Sequence, residues 1–312
     1  MNVKVILLWL VVLVNYNAPW AAAQSEKPLW EQLETRSPWV FWGDSNTYSG
    51  GYVAILDAWL QSSTSAHRIK LLNLGMSSET AAGTSEVDHP FKRPCVHERL
   101  SKALAMTRPG VVFICYGMND GIYQPPSAAN QAAYEAGMLK LATEIRATGA
   151  KLICLTPPIF EPEPVAAKGN LGPASTGRFA YFAPAENYNQ TLQQQAAWCL
   201  KNELGADAVI DIHTLLAEEK QRRLADNPDF AYSGDGVHFG DEAHGLIAEK
   251  ILVELGAPRG LISAYPQSDA IAAARKRMLL LRDAYLSAVG KNRPGLPAGY
   301  PVWYAEKLAK EL

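Results

Sequence analysis

Between Val40 and Leu255, short runs that are apolar at every position alternate with longer stretches in which apolar residues recur every three or four positions. A continuous apolar run suits a strand covered on both faces, whereas the wider spacing gives a helix one apolar stripe. "PWVFWGDS" ends the first run at Gly43, and "GYVAILDAWLQ" follows with Val53, Leu56, Trp59 and Leu60 at helical spacing. "RIKLLNLG", "GVVFICYG", "AKLICLTPP" and "DAVIDI" predict further strands, the third of these four stopped by two prolines. Helices are predicted over Ala128–Thr148, about Ala185–Glu203, around Leu215–Leu224, and over Asp241–Leu255, where Ile247, Ile251 and Leu255 recur every fourth residue. This order predicts a doubly wound α/β domain, a three-layer sandwich around a five-stranded parallel sheet. Ligands of such sheets bind beyond the carboxyl ends of the strands.

Three segments break the alternation. Pro157–Pro184 is a long connection rich in Pro and Gly that carries Phe160, Phe179, Tyr181 and Phe182, more chain than a compact domain needs unless it shapes a site. After Gly256, the positions Ile271, Ala274, Met278, Leu281 and Tyr285 mark a helix ending before Gly290. We read residues 257–312 as a helical extension strapped onto the domain rather than a dimer seam. At the other end, Lys4 precedes the apolar run Val5–Val14, and Ala21 and Ala23 form an A-x-A cleavage pattern before Gln24. The run is shorter than the roughly 20 residues that span a bilayer. It predicts a signal peptide over 1–23, a domain over 24–256, and a mature protein that is periplasmic or extracellular and no longer held at the membrane.

Composition narrows the class of function. Apolar residues make up 48% and charged residues 19%, which excludes a disordered chain, and 29 basic against 31 acidic side chains leave no footprint for nucleic acid or an anionic membrane. The four cysteines, Cys95, Cys115, Cys154 and Cys199, lack the CxxC spacing of a zinc or redox site. Cys115 and Cys154 lie inside apolar runs and read as small buried hydrophobes, and a Cys95–Cys199 bridge stays open.

"DGVHFGDEAH", residues 235–244, admits three chemistries. The DEAH of a helicase needs an upstream phosphate-cradling G-x-x-x-x-G-K-[ST]; the one Gly-Lys pair, Gly290-Lys291, is followed by Asn, which removes that reading. A metal at His238 and His244 lacks the usual i, i+4 spacing and further ligands. The third chemistry is hydrolytic. The residues just after the predicted strands are Gly43-Asp44-Ser45, Asn73-Leu74-Gly75 and Gly117-Met118-Asn119-Asp120, and with Asp235 and His238 they would gather at one edge of the sheet.

Those four motifs, in that order, resemble the SGNH, or GDSL, hydrolase family over about Val40–Leu255. The resemblance implies a flavodoxin-like sheet, no cofactor and no metal. It makes Ser45 the nucleophile, His238 the general base and Asp235 the acid that orients its imidazole. It also implies an oxyanion hole from the backbone N–H groups of Ser45 and Gly75 and the side-chain amide of Asn119. A serine hydroxyl attacks well only when a base takes its proton, and one oxyanion donor is typically worth roughly 3–4 kcal/mol. Gly75, lacking a Cβ, suits close approach to a reacting carbon. Asn73, Asp44 and Asp120 are expected to support these loops rather than move protons. Two departures concern the surroundings: "NTYSGG" follows Ser45, and "MSSET" follows Gly75 without the glycine often found there. "FKRPCVHERL", with "SSETAAG" before it and "RPG" in the tail, is similar to secreted SGNH proteins of planctomycete-type bacteria, which makes Glu79, Arg93 and His97 candidate substrate-binding residues. For Glu79 and Arg93 a surface salt bridge is the equal alternative.

The expectation is an exported serine esterase acting on short acyl esters, acetyl first, of a small molecule or polysaccharide. No amphipathic lid with a large apolar face is visible, which ranks a lipase or lysophospholipase second. An acyltransferase would use the same triad. A catalytically silent glycan-binding module is the alternative of another class.

Overall fold

The computed structural model describes residues 27–63, 66–173 and 177–312, so the expected signal peptide lies outside the described residues. Five parallel strands, β1 (Trp39–Gly43), β2 (Leu71–Asn73), β3 (Val111–Cys115), β4 (Lys151–Leu155) and β5 (Ala208–Ile210), form one sheet in the order β2-β1-β3-β4-β5. The doubly wound α/β expectation holds. Because side chains alternate along a strand, Trp39, Phe41, Phe113, Cys115, Ile153 and Leu155 feed one core. Val40, Trp42, Val112, Ile114, Leu152 and Cys154 feed the other. Helices Gly51–Gln61 and Asp241–Glu254 cover the first face, and Leu100–Thr107 and Ala128–Arg146 cover the second. Strand order reverses between β1 and β3, which opens a crevice at their carboxyl ends.

Two elements depart from the periodicity reading. Leu100–Thr107 is a helix that the pattern left unassigned; it buries Leu100, Ala103, Leu104 and Thr107, one face of two turns. The chain after β1 is also not one helix: Ser45–Ser49 forms a short turn of helix, Gly50 takes φ +73°, and the longer helix restarts at Gly51.

The C-terminal extension carries the expected helix, Ser268–Val289, followed by Val302–Ala309. The long helix packs on Gly51–Gln61 and along β2, covering an edge strand that would otherwise present unpaired backbone groups. Its Arg282 Nη1 donates to the Tyr48 carbonyl at 2.7 Å, with the guanidinium 3.7 Å from the centroid of the Tyr48 ring. All four cysteines are free. No Cys95–Cys199 bridge forms: Cys199 is buried against the Tyr134 hydroxyl at 3.2 Å, while Cys95 lies in the loop bridged to Thr80. Among the described residues, no helix is long and apolar enough to cross a membrane.

Candidate active site

Ser45 opens the short helix after β1, with Asp44 as its cap, accepting from the Asn46 N–H at 3.1 Å. Asp44 is buried, and that burial pushes its carboxyl up to about 6 against the opposing pull of the Asn46 N–H, His238 and Arg93. On the far side, Asp235 and His238 belong to the loop before Asp241–Glu254. His238 Nδ1 lies 2.7 Å from Asp235 Oδ2, and Asp235 Oδ1 accepts from the backbone N–H groups of His238 at 2.8 Å and Val237 at 3.0 Å. The Asp235 bond raises the His238 imidazole above its usual value despite partial burial. Burial works against ionisation of Asp235 too, but its bonds from the His238 side chain and the two backbone groups hold it well below the usual carboxylate range.

The two arms are tied together by a residue the sequence did not single out. The buried side chain of Asn46 donates through Nδ2 to the Val237 carbonyl at 2.9 Å and accepts through Oδ1 from the Phe239 N–H at 3.2 Å. It therefore grips the residues on either side of His238. A second clamp comes from the long connection after β4. Glu161, fully buried, accepts from the N–H groups of Tyr232 at 3.0 Å and Ser233 at 2.7 Å and pairs with Lys220 at 3.2 Å. Its own N–H donates to the Gly236 carbonyl at 2.9 Å. Gly236 stands at φ +83°, and a Cβ there would lie 2.5 Å from the Glu161 carbonyl oxygen, so that loop needs glycine.

Ser45 and His238 line one cavity of about 390 Å³, together with Ser77, Ser78, Arg93 and Asn119, and its outer wall includes His89, Phe91, Tyr181 and Arg293. Asn119 is buried, with Oδ1 accepting from the Tyr123 hydroxyl at 3.2 Å and Nδ2 donating to the Glu79 carbonyl at 3.1 Å, so one amide hydrogen is left over. Gly75 does not meet the expectation placed on it. It is absent from the cavity wall, and its N–H donates to Asn73 Oδ1 at 2.8 Å. Its missing Cβ serves packing instead, since that atom would lie 2.5 Å from the Tyr48 nitrogen. The cavity is reached by Ser77 and Ser78, the second of which holds φ +67° in a turn closed by Glu79 N–H to Met76 C=O at 3.2 Å. This is where the glycine missing from "MSSET" would stand. Among the described residues the Ser78 N–H has no hydrogen-bond partner.

The supporting residues hold backbone. Asn73 Nδ2 donates to the Thr47 carbonyl at 2.6 Å. Asp120 Oδ1 accepts from the N–H groups of Ala81 at 2.8 Å and Ala82 at 2.7 Å, and burial raises its carboxyl to about 7 in spite of them. Of the three candidate substrate-binding residues, only Arg93 reaches the cavity, where its Nη2 donates to Glu86 Oε1 at 2.6 Å and its Nη1 to the Ser78 carbonyl at 3.3 Å. Glu79 is fully buried in an ion pair with Arg99 and also accepts from the Tyr116 hydroxyl at 2.6 Å, so it has no face toward a ligand and is no surface salt bridge. His97 turns away to the Gly137 carbonyl, 3.1 Å from its Nε2. His244 packs against the Tyr52 ring, and burial lowers its imidazole to about 4.

A hydroxyl at a helix start, a carboxylate-bonded imidazole and amide donors around one crevice of a parallel sheet are the parts of an acyl-transferring hydrolase. Residues 41–246 match the model of the GDSL-like lipase/acylhydrolase family, and the chain belongs to that family, whose members hydrolyse esters. A search among curated proteins found no sequence match. Among solved structures, a gut microbial diltiazem-metabolizing enzyme aligns with a TM-score of 0.52 at 15% identity, covering 70% of this chain and 47% of its own length. A catalytic mutant of Axe2, an acetylxylan esterase from Geobacillus stearothermophilus, aligns at 0.50 and 19% identity, covering 71% of this chain and 95% of its own. At these identities the likeness is one of fold.

Proposed function

We propose that this protein is an exported serine esterase that removes short acyl groups, acetyl first, from a carbohydrate. One observation carries the reading: Ser45 opens into the same cavity as an imidazole whose Nδ1 is held by Asp235 at 2.7 Å. That bond leaves Nε2 of His238 as the ring atom available to take a proton. In the proposed sequence Ser45 Oγ attacks the ester carbonyl carbon as His238 removes its proton. The carbonyl oxygen becomes an oxyanion facing the N–H groups of Ser45 and Ser78 and the spare amide hydrogen of Asn119. Collapse breaks the bond to the alcohol oxygen, which leaves with the proton from His238. Water, deprotonated by the same imidazole, then releases the acid from the acyl-enzyme.

The restriction to short acyl groups rests on the cavity, which is lined mainly by polar and aromatic residues, with Pro90 the one aliphatic residue among them. The acetylxylan esterase among the structural neighbours acts on an ester of this kind. Export is supported by the A-x-A pattern behind Val5–Val14. A chromogenic acetyl ester is the direct test: the wild-type protein is expected to hydrolyse it, and Ser45→Ala to lose roughly 10³-fold or more in kcat. Wild type inert on acetyl and longer acyl esters across about pH 6–9 overturns the proposal. A preference for long chains removes its carbohydrate part.

A further inference from the structure

The cavity around Ser45 and His238 holds two guanidinium groups in different circumstances. Arg93 is neutralised, with Nη2 2.6 Å from Glu86 Oε1 and Nε bonded to the other carboxylate oxygen. His238 has Asp235. Burial and the charge of Arg93 lower the pKa of His89. Arg293 alone among the cavity cations has no acidic partner: it forms no ion pair among the described residues, and its Nη1 donates only to the adjacent Pro294 carbonyl at 2.6 Å. Its Nε is shielded from solvent and bonded to nothing. The guanidinium carbon stands 5.3 Å from the centroid of the Phe91 ring. Phe91 in turn meets His89 edge-on at 4.5 Å, and His89 meets Tyr181 at 5.4 Å.

A guanidinium in the cavity wall without an acidic partner matches a carboxylate, which can take two parallel N–H bonds from such a group. The aromatic side chains beside it offer the flat apolar surface on which the C–H face of a pyranose ring can lie. Resting on the esterase reading, we infer that the substrate is an acylated acidic saccharide, and that Arg293 binds the carboxylate of a uronic acid unit while Phe91 and Tyr181 border its ring. The C-terminal extension would then supply part of the binding site as well as packing.

Calorimetric titration of trigalacturonate and of neutral galactotriose into wild-type protein, Arg293→Gln and Arg293→Lys, at low and at high salt, tests this. Wild type is expected to bind the acidic sugar about tenfold more tightly at low salt and to lose most of that margin at high salt. Arg293→Gln should abolish the margin, and Arg293→Lys should keep part of it, since a point charge lacks the two-pronged geometry. Equal affinity of wild type for the two sugars, a margin insensitive to salt, or a margin intact in Arg293→Gln overturns the inference. The wild-type comparison stands even if Arg293→Gln fails to fold. Because binding is read without turnover, a protein that binds the acidic sugar yet cleaves no ester contradicts the esterase reading alone.

Discussion

Asn46 sits one residue beyond the proposed nucleophile and holds the chain on both sides of the proposed base. Its loss should therefore loosen the spacing between Ser45 and His238 rather than remove a proton carrier. Asn46→Ala leaves a buried carbonyl and a buried N–H unpaired, a cost of about 1–3 kcal/mol. On the chromogenic acetyl ester it should lower kcat by roughly 10–100-fold with KM little changed. An unchanged kcat would show that the clamp is irrelevant to catalysis. The charge at His238 gives a second expectation. Only the neutral imidazole can accept the Ser45 proton, and Asp235 raises its pKa, so kcat/KM should rise with pH through a midpoint above the ordinary histidine value and then level off. Asp235→Asn removes the main cause of that rise, so the midpoint should shift to lower pH as kcat falls by about 10⁴-fold. A midpoint that stays in place in the pH–rate profile of this variant contradicts the assignment.

At the scale of elements, the connection Pro157–Pro184 was legible as surplus chain but not as a brace. What it does depends on Glu161, whose carboxylate takes two N–H groups from the loop leading to Asp235 and an ammonium from Lys220. Glu161→Ala should cost about 3 kcal/mol, since it strands two buried donors and leaves the buried Lys220 ammonium with Glu163 alone. Thermal unfolding measures that loss, and Glu161→Gln should recover part of it by keeping one acceptor. The helix Leu100–Thr107 carries its signal at i, i+3, i+4 and i+7, a pattern masked in the sequence by Glu98 and Arg99 directly before it and by Thr107 at its last position. The glycine break at Gly50 was visible as an interruption, but its geometry was not. It lets Ser45 stand on a short turn of its own, with Asn73 and Arg282 holding the following carbonyls of Thr47 and Tyr48.

For the whole molecule, the extension 257–312 decides how the edge of the sheet is finished. Its long helix buries Met278, Leu281, Ala284, Tyr285 and Leu286 against both cores beside β2. Removing residues 257–312 should expose that apolar seam and the edge of β2 together. The shortened chain is expected to aggregate or to lose cooperative thermal unfolding, and a soluble truncated protein with an unchanged Tm would show that the extension is only an appendage.

The sequence by itself determined the class of fold, because buried parallel strands must be apolar throughout and their crossover helices must carry a stripe. It also placed Ser45 and Asn119 beyond strand ends and Asp235 and His238 just ahead of the last helix of the domain, where topology gathers them. It could not determine which neighbouring groups face the crevice. Glu79 and Arg93 lie in one charged stretch of chain, yet folding encloses the first against Arg99 and opens the second into the cavity. Gly75 and Ser78 differ in the same way: Ser78 lines the cavity while Asn73 occupies the N–H of Gly75, which does not. Arg293, 55 residues beyond His238, joins the cavity wall only because the extension folds back over it. Such choices depend on contacts between residues far apart in the chain, and local pattern carries no record of them.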